Sequence, residues 1–286
     1  MRFLSLATAA LMAPAALGAA VPEVRPARPG FGCGTHEPTQ AQIEATKEIV
    51  VLEASGNYSI EARQTKNVDV YFHVVAASTA LSDGYLTSKM LDDQFKVLQT
   101  TFAPHGFSFT FKGTDFTINQ SWADDGAELA MKKKLRKGTY RALNIYFQRN
   151  IGGNFGYCYF PTKVASGSDD FYYDGCSILF STVPGGSSTN YNLGYTVTHE
   201  VGHWFGLYHT FQGGSCTGSG DFVADTPAQL SASSGCPTGR DSCPQQAGLD
   251  PIHNFMDYSY DTCYTEFTSG QRTRMNTYFD QYRASA

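Results

Sequence analysis

Apolar and polar positions divide the chain into stretches of different character. Behind Met1-Arg2, residues Phe3 to Ala20 are almost wholly small or apolar and end in Ala16-Leu17-Gly18-Ala19-Ala20. A charged start, an apolar run and small residues predict a signal peptide over 1–19. Residues 20–66 carry Pro22, Pro26, Pro29 and Pro38 ahead of a polar, helix-permissive stretch, Thr39–Glu53. Regular structure is expected from Val68–Val75, a strand by its β-branched and aromatic content. Thr87–Phe102 places Met90, Leu91, Phe95, Leu98 and Phe102 at helical spacing. Phe107–Phe116, Ala142–Phe147 and Ser177–Thr182 read as strands, and Glu128–Lys137 and Asn192–Tyr208 as helices. Strand, helix, then further strands predict a mixed sheet. From Thr210 to Thr265 periodicity gives way to Gly, Ser, Pro and Cys, and Thr268–Tyr282 closes the chain as a helix with Met275, Phe279 and Tyr282 on one face.

Composition and charge narrow the partners. The formal charge is -5 with an isoelectric point near 5.8, so no phosphate-neutralising surface dominates and nucleic acid is not expected. The one basic run, Lys132-Lys133-Lys134-Leu135-Arg136-Lys137, reads as a solvated helix face. After the leader, no run reaches the ~18 apolar residues of a membrane span. The reading is of a secreted, extracellular monomer with no membrane contact. Secretion changes how the seven cysteines read: most should pair, and an odd count leaves one over. Cys33 stands far from the other six. Asn57 and Asn119 head glycosylation sequons.

The chemistry concentrates in His199-Glu200-Val201-Gly202-His203-Trp204-Phe205-Gly206-Leu207-Tyr208-His209. Histidines at i and i+4 project from one helix face and can share a metal. Glu200 can reach a water on that metal without being a ligand. Gly206 can take positive φ and turn the chain, which lets His209 return as a third ligand. Three nitrogens leave a coordination position open, the arrangement of catalytic rather than structural zinc. Five fixed positions of this kind arise by chance on the order of 10⁻⁵ times in such a chain.

These residues, followed by Asn254-Phe255-Met256-Asp257-Tyr258, resemble the metzincin metalloproteases with their Met-turn. Val223-Ala224-Asp225-Thr226-Pro227, Ile252–Tyr258 and Phe267–Gln271 are similar to the pappalysin-type branch and its secreted fungal members. The resemblance covers about residues 60–286 and, more loosely, Gly32-Cys33-Gly34. It implies an α+β metzincin fold spanning 67–286. An upper part, 67–209, has a twisted mixed sheet and two long helices. A lower part, 210–286, is irregular, disulfide-stapled and closed by a helix. The implied edge strand that pairs with substrate backbone falls near Gly156–Phe160.

The resemblance implies a secreted zinc endopeptidase acting on proteins or peptides. His199, His203 and His209 hold Zn²⁺, Glu200 is the general base, and Tyr258 approaches the metal from below. Met256 is then the Met-turn residue. Asp221, Asp225 and Thr226 offer hard oxygens for Ca²⁺. The implied disulfides are Cys216–Cys243 and Cys236–Cys263, which leaves Cys158 for Cys176. Asp261 falls near the primed-side pocket, where it would favour a basic side chain if it faced it. Gly32-Cys33-Gly34 looks like a cysteine switch, which makes 20–66 an inhibitory propeptide. The rival reading is a non-catalytic secreted module that keeps zinc on a degenerate protease fold. The presence of Glu200, which is not a ligand, argues against it.

Overall fold

The computed structural model describes residues 32–55 and 65–285. The expected signal peptide and Asn57 lie outside the described residues. Strands β1 (Lys66–Ala76), β2 (Phe107–Ile118), β3 (Leu143–Gln148), β4 (Gly156–Cys158) and β5 (Cys176–Leu179) form one sheet in the order β2-β1-β3-β5-β4. The first four neighbours run parallel, and β4 lies antiparallel to β5 at the edge. The mixed sheet expected from the sequence is therefore present, with β4 as its one reversed strand.

Helices α1 (Gln40–Ala54), α2 (Ser88–Phe102), α3 (Gln120–Ala123), α4 (Glu128–Leu135), α5 (Asp169–Tyr173), α6 (Tyr195–Trp204) and α7 (Ser269–Tyr282) surround the sheet. Alternation along β1 explains the layering, because successive side chains point to opposite faces. Val68, Val70, Phe72 and Val74 enter the main core with Leu98 and Phe102 of α2 and Val197 and Val201 of α6. Val75 enters a smaller core on the other face with Ala123, Met131 and Tyr146. Phe102, Phe107, Phe205 and Phe279 meet in edge and tilted ring contacts that tie α2, β2 and α7 to the end of α6.

Below α6 the chain runs from Thr210 to Thr268 with only a short 3₁₀ turn at Asp261–Cys263. Disulfides Cys216–Cys243 and Cys236–Cys263 staple this region, and Cys158–Cys176 joins the facing residues of β4 and β5. The pairing is the expected one, and Cys33 is free. Without those covalent ties, so long a segment lacking ladders would cost too much chain entropy to stay compact.

Three local expectations need correction. The strand read over Ser177–Thr182 stops at Leu179, and Phe180–Thr182 forms a 3₁₀ turn. The helix read over Asn192–Tyr208 is shorter at both ends: Gly194 holds φ 91° at the N-cap, and Gly206 holds φ 94° just past the last turn. The basic run is only partly a solvated face. Lys132 is fully buried, with Nζ 2.7 Å from the Tyr173 carbonyl and 2.7 Å from Glu128, and Arg136 reaches Asp174 at 3.2 Å. Periodicity cannot report this, because Tyr173 and Asp174 come from elsewhere in the chain.

Asp174 is the hub of a buried polar knot. It accepts from Arg283 at 2.9 Å and from Arg136, while the Arg283 guanidinium lies 3.6 Å above the Trp204 ring and also donates to the Trp204 carbonyl. Burial alone would raise the Asp174 carboxyl; the two arginines outweigh it and hold it below its usual range. The knot fixes the C-terminus of α6 to the end of α7. Asp174→Ala leaves two buried guanidiniums unpaired, so unfolding stability should drop by about 3–5 kcal/mol. Urea denaturation measures this, and an unchanged midpoint would show that the knot contributes nothing.

Candidate active site

The i, i+4 spacing puts His199 and His203 on the buried face of α6, and both are fully inaccessible. The helix ends in a Schellman arrangement: Leu207 N–H donates to the Gly202 carbonyl at 3.0 Å and Gly206 N–H to the His203 carbonyl at 2.8 Å. Gly206 is needed there twice over. Its φ is positive, and a Cβ would lie 2.5 Å from the Tyr278 ring. The turn carries His209 back to the other two. His203 Nε2 then lies 3.2 Å from His199 Nε2 and 3.1 Å from His209 Nε2.

Hydrogen bonds fix which nitrogen faces inward. His199 Nδ1 donates to the Phe255 carbonyl at 2.6 Å and His203 Nδ1 to the Leu207 carbonyl at 2.7 Å. Each Nε2 is thereby left with its lone pair. Burial first, and the neighbouring histidines second, push His199 and His209 well below the ordinary histidine range, and burial lowers His203 to about 4. The three rings are neutral near pH 7, the state in which imidazole ligates a metal. Tetrahedral metal–nitrogen bonds of ~2.0–2.1 Å require nitrogens roughly 3.3 Å apart, so the observed separations fit one ion.

The floor is the turn around Met256. Met256 is fully buried under α6, and a Cβ on Gly202 would meet its sulfur at 2.4 Å. Asn254 Oδ1 accepts from Met256 N–H at 3.0 Å, and the Asn254 amide pairs reciprocally with Gln271. Gln271 also completes the capping box of α7 with Thr268. The Phe255 carbonyl that orients His199 is thus anchored to the start of α7, a helix that begins seventy residues after that histidine. Tyr258 sends its hydroxyl to 3.2 Å from His209 Nε2.

Glu200 is fully buried beside this cluster. Burial pushes its carboxyl up to about 8, against the lowering effect of hydrogen bonds from Cys33 and Thr35. Cys33 Sγ lies 3.5 Å from both Glu200 Oε2 and His203 Nε2. Its sulfur and the three imidazole nitrogens all lie within 4.8 Å of one another. The segment reaches the site by adding to the sheet edge: Gly34 N–H donates to the Gly156 carbonyl at 2.7 Å and Phe155 N–H to the Gly32 carbonyl at 2.6 Å. Close approach needs Gly34, whose Cβ would meet the Asn154 side chain at 2.7 Å.

Two residues of the site escaped sequence reasoning. Thr35 Oγ1 donates to Glu200 Oε2 at 3.0 Å and accepts from Cys158 N–H at 2.9 Å. Gly156 presses on Glu200, where a Cβ would fall 2.5 Å from Glu200 Cγ. Neither carries a signal beyond lying near Cys33 or inside the expected edge strand. Other expected residues go different ways. Asp221 is buried and pushed by burial up to about 7, against the lowering effect of hydrogen bonds from Val223 N–H, at 3.0 Å, and from Thr226. Asp225 instead caps α7, accepting from Thr268 Oγ1 at 2.7 Å and Gly270 N–H at 2.8 Å. Asp261 Oδ2 accepts from Leu193 N–H at 2.7 Å, just ahead of α6.

Residues 133–280 match the M43 peptidase family, described as pregnancy-associated plasma protein-A. An extracellular metalloprotease of Sordaria macrospora is 65% identical over 100% of this chain and 99% of its own length, and one of Neurospora crassa matches equally well. The chain belongs to the M43 peptidase family. This M43 peptidase is a metalloprotease, and extracellular as its relatives are named. Among solved structures, mature mirolysin of Tannerella forsythia in complex with a cleaved peptide is 28% identical with TM-score 0.65, covering 76% of this chain and 93% of its own. A promirolysin from the same organism is 26% identical with TM-score 0.66, covering 88% and 94%. Those neighbours give this M43 peptidase a metzincin fold. No helix among its described residues is long and apolar enough to cross a membrane.

Gly156→Ala should lower kcat/KM on casein or a peptide by roughly 100-fold, since displacing Glu200 by even an ångström spoils its alignment. The thermal midpoint should shift little, because the clash is with one side chain. Wild-type turnover in a folded Gly156→Ala protein would remove the constraint.

Proposed function

We propose that the chain is a zinc endopeptidase synthesised as a latent precursor. The observation that carries the catalytic half is the convergence of three neutral Nε2 atoms at 3.1–3.2 Å with a buried carboxylate beside them. His199, His203 and His209 would hold the zinc, which when bound acidifies a water and polarises the scissile carbonyl. An extended peptide pairs with the β4 edge, in keeping with the segment already hydrogen-bonded there. Glu200 accepts the proton of the attacking water and returns it to the leaving amine. Tyr258, with its hydroxyl at the mouth of the cluster, donates to the oxyanion of the tetrahedral intermediate.

The latent half rests on residues 32–55. Their thiol and hydroxyl occupy the two groups the reaction needs free. Cys33 faces the open position of the imidazole cluster, and Thr35 holds the oxygen of the general base. α1 anchors the segment through Thr46 to Tyr208 and Tyr278 at 2.7 and 2.6 Å and through Glu53 to Arg274. The proenzyme form of mirolysin covers 88% of this chain against 76% for the mature form, which supports reading the N-terminal segment, 20–66, as a propeptide. Calcium is proposed at Asp221, Asp225 and Thr226, whose oxygens are the hard donors that ion takes. A glycan is proposed on Asn119, whose Oδ1 caps α3 and leaves Nδ2 available.

Glu200→Gln should fold, retain about one zinc by elemental analysis, and lose casein hydrolysis by several orders of magnitude. A chelator should abolish the wild-type activity, and zinc should restore it. Normal cleavage by the Gln variant would end the mechanism, and zinc retention without activity in the wild-type mature form would favour the non-catalytic module.

Latency divides between the two locks. A Cys33→Ser precursor should gain activity or self-process, and Cys33→Ser combined with Thr35→Val should do so faster, because the base is then also released. Equal latency of all three precursors would exclude the switch.

A further inference from the structure

β4 is three residues long and, among the described strands, is hydrogen-bonded only to β5, by the three pairs Gly156–Ile178, Tyr157–Ser177 and Cys158–Cys176. Its other edge takes up the extended segment Gly32–Thr35. An edge this short, preceded by Gly152 and Gly153 at positive φ, has little ladder of its own to hold its height over α6. The support comes from the far face of the sheet. Tyr157 Oη donates to Asp125 Oδ1 at 3.0 Å, and Tyr159 Oη donates to Glu128 Oε2 at 3.0 Å. Lys132, fully buried, stands between the rings, 5.5 Å from that of Tyr157 and 4.7 Å from that of Tyr159, and pairs with Glu128 at 2.7 Å. Asp125 and Ala127 both sit at positive φ, 63° and 60°. That backbone is costly for residues other than glycine and persists only where surrounding contacts enforce it.

We propose that Tyr157 and Tyr159, clamped by Asp125, Glu128 and Lys132, are positioning residues that hold the β4 edge where an extended peptide pairs with it. Side-chain alternation puts Gly156 and Cys158 toward α6 and the peptide, and Tyr157 toward the clamp. The clamp touches no reacting atom. It acts through the strand, and so governs how well a peptide backbone finds its N–H and C=O partners rather than how fast the bond breaks.

The inference rests on the reading that substrate pairs with β4, and the test separates the two. Mature enzyme is assayed with two peptides of identical sequence, one carrying N-methyl groups at the residues that would pair with β4. Tyr157→Phe and Tyr159→Phe keep the rings and remove one hydroxyl each. For the unmodified peptide, KM in either variant should rise roughly tenfold, the scale of one lost hydrogen bond to a carboxylate, with kcat within about twofold. For the N-methylated peptide, wild-type KM should already be high and the variants should change it little. A variant KM equal to wild type on the unmodified peptide overturns the clamp. Equal wild-type KM for both peptides overturns strand pairing itself. A fall in kcat alone, with zinc content and thermal midpoint reduced, marks a purely structural role and also overturns the proposal.

Discussion

Three neutral imidazoles cannot converge with their lone pairs 3.1–3.2 Å apart in a dry pocket unless something outside holds them there, because the nitrogens repel and each has lost its water. Most of the tertiary structure around α6 answers that constraint. The helix supplies two of the rings and a Schellman turn supplies the third. Carbonyls of Phe255 and Leu207 hold the Nδ1 hydrogens so that only Nε2 can face inward. The repulsion becomes an asset when a cation enters, since the same geometry is what a tetrahedral ion requires.

Support for the carbonyls reaches across the molecule. Phe255 precedes Met256, Met256 is held by Asn254, and Asn254 is paired with the capping glutamine of α7. At the other end of α7, Arg283 closes on Trp204 and Asp174. α7 therefore fixes both the floor of the site and the back of α6. Disulfides hold the irregular stretch between them, where no ladder or helix is available to resist unfolding. The lower region has the covalent ties because it has little backbone hydrogen bonding of its own.

The sheet edge carries a different tension. An edge strand leaves its outer N–H and C=O groups unpaired with other strands, and such edges are prone to accept any chain. Here the chain's own Gly32–Thr35 occupies it. The contact is tight because both sides are glycine-lined: Gly34 lets the segment pass Asn154, and Gly156 lets β4 lie on Glu200. Under the proposed pairing of substrate with β4, a peptide and the N-terminal segment would compete for the same hydrogen bonds, which would couple occupancy of the edge to exposure of Glu200.

Much of this was legible in the residues alone. Spacing within one helix determines that His199 and His203 share a face, and a glycine three residues on determines where the chain can turn. The β-branched and aromatic content of Val68–Val75 and the helical spacing of Thr87–Phe102 are both local signals, and both elements form. Cysteine pairing followed from resemblance to a family with the same motif, and the disulfides agree with it. What packing decided are contacts between residues on different elements, or at ends of elements. The hydroxyl of Thr35 on Glu200 joins positions 165 apart, and no periodicity carries that. Lys132 looked solvated because its run is charged, yet tyrosines from β3, β4 and the loop after β4 enclose it. Asp225 and Asp261 were read by chemical type, whereas orientation, set by the backbone N–H groups they meet, turns one to the start of α7 and the other to the approach of α6. A sequence specifies which groups are present and their local direction; only the folded chain specifies which distant group each one meets.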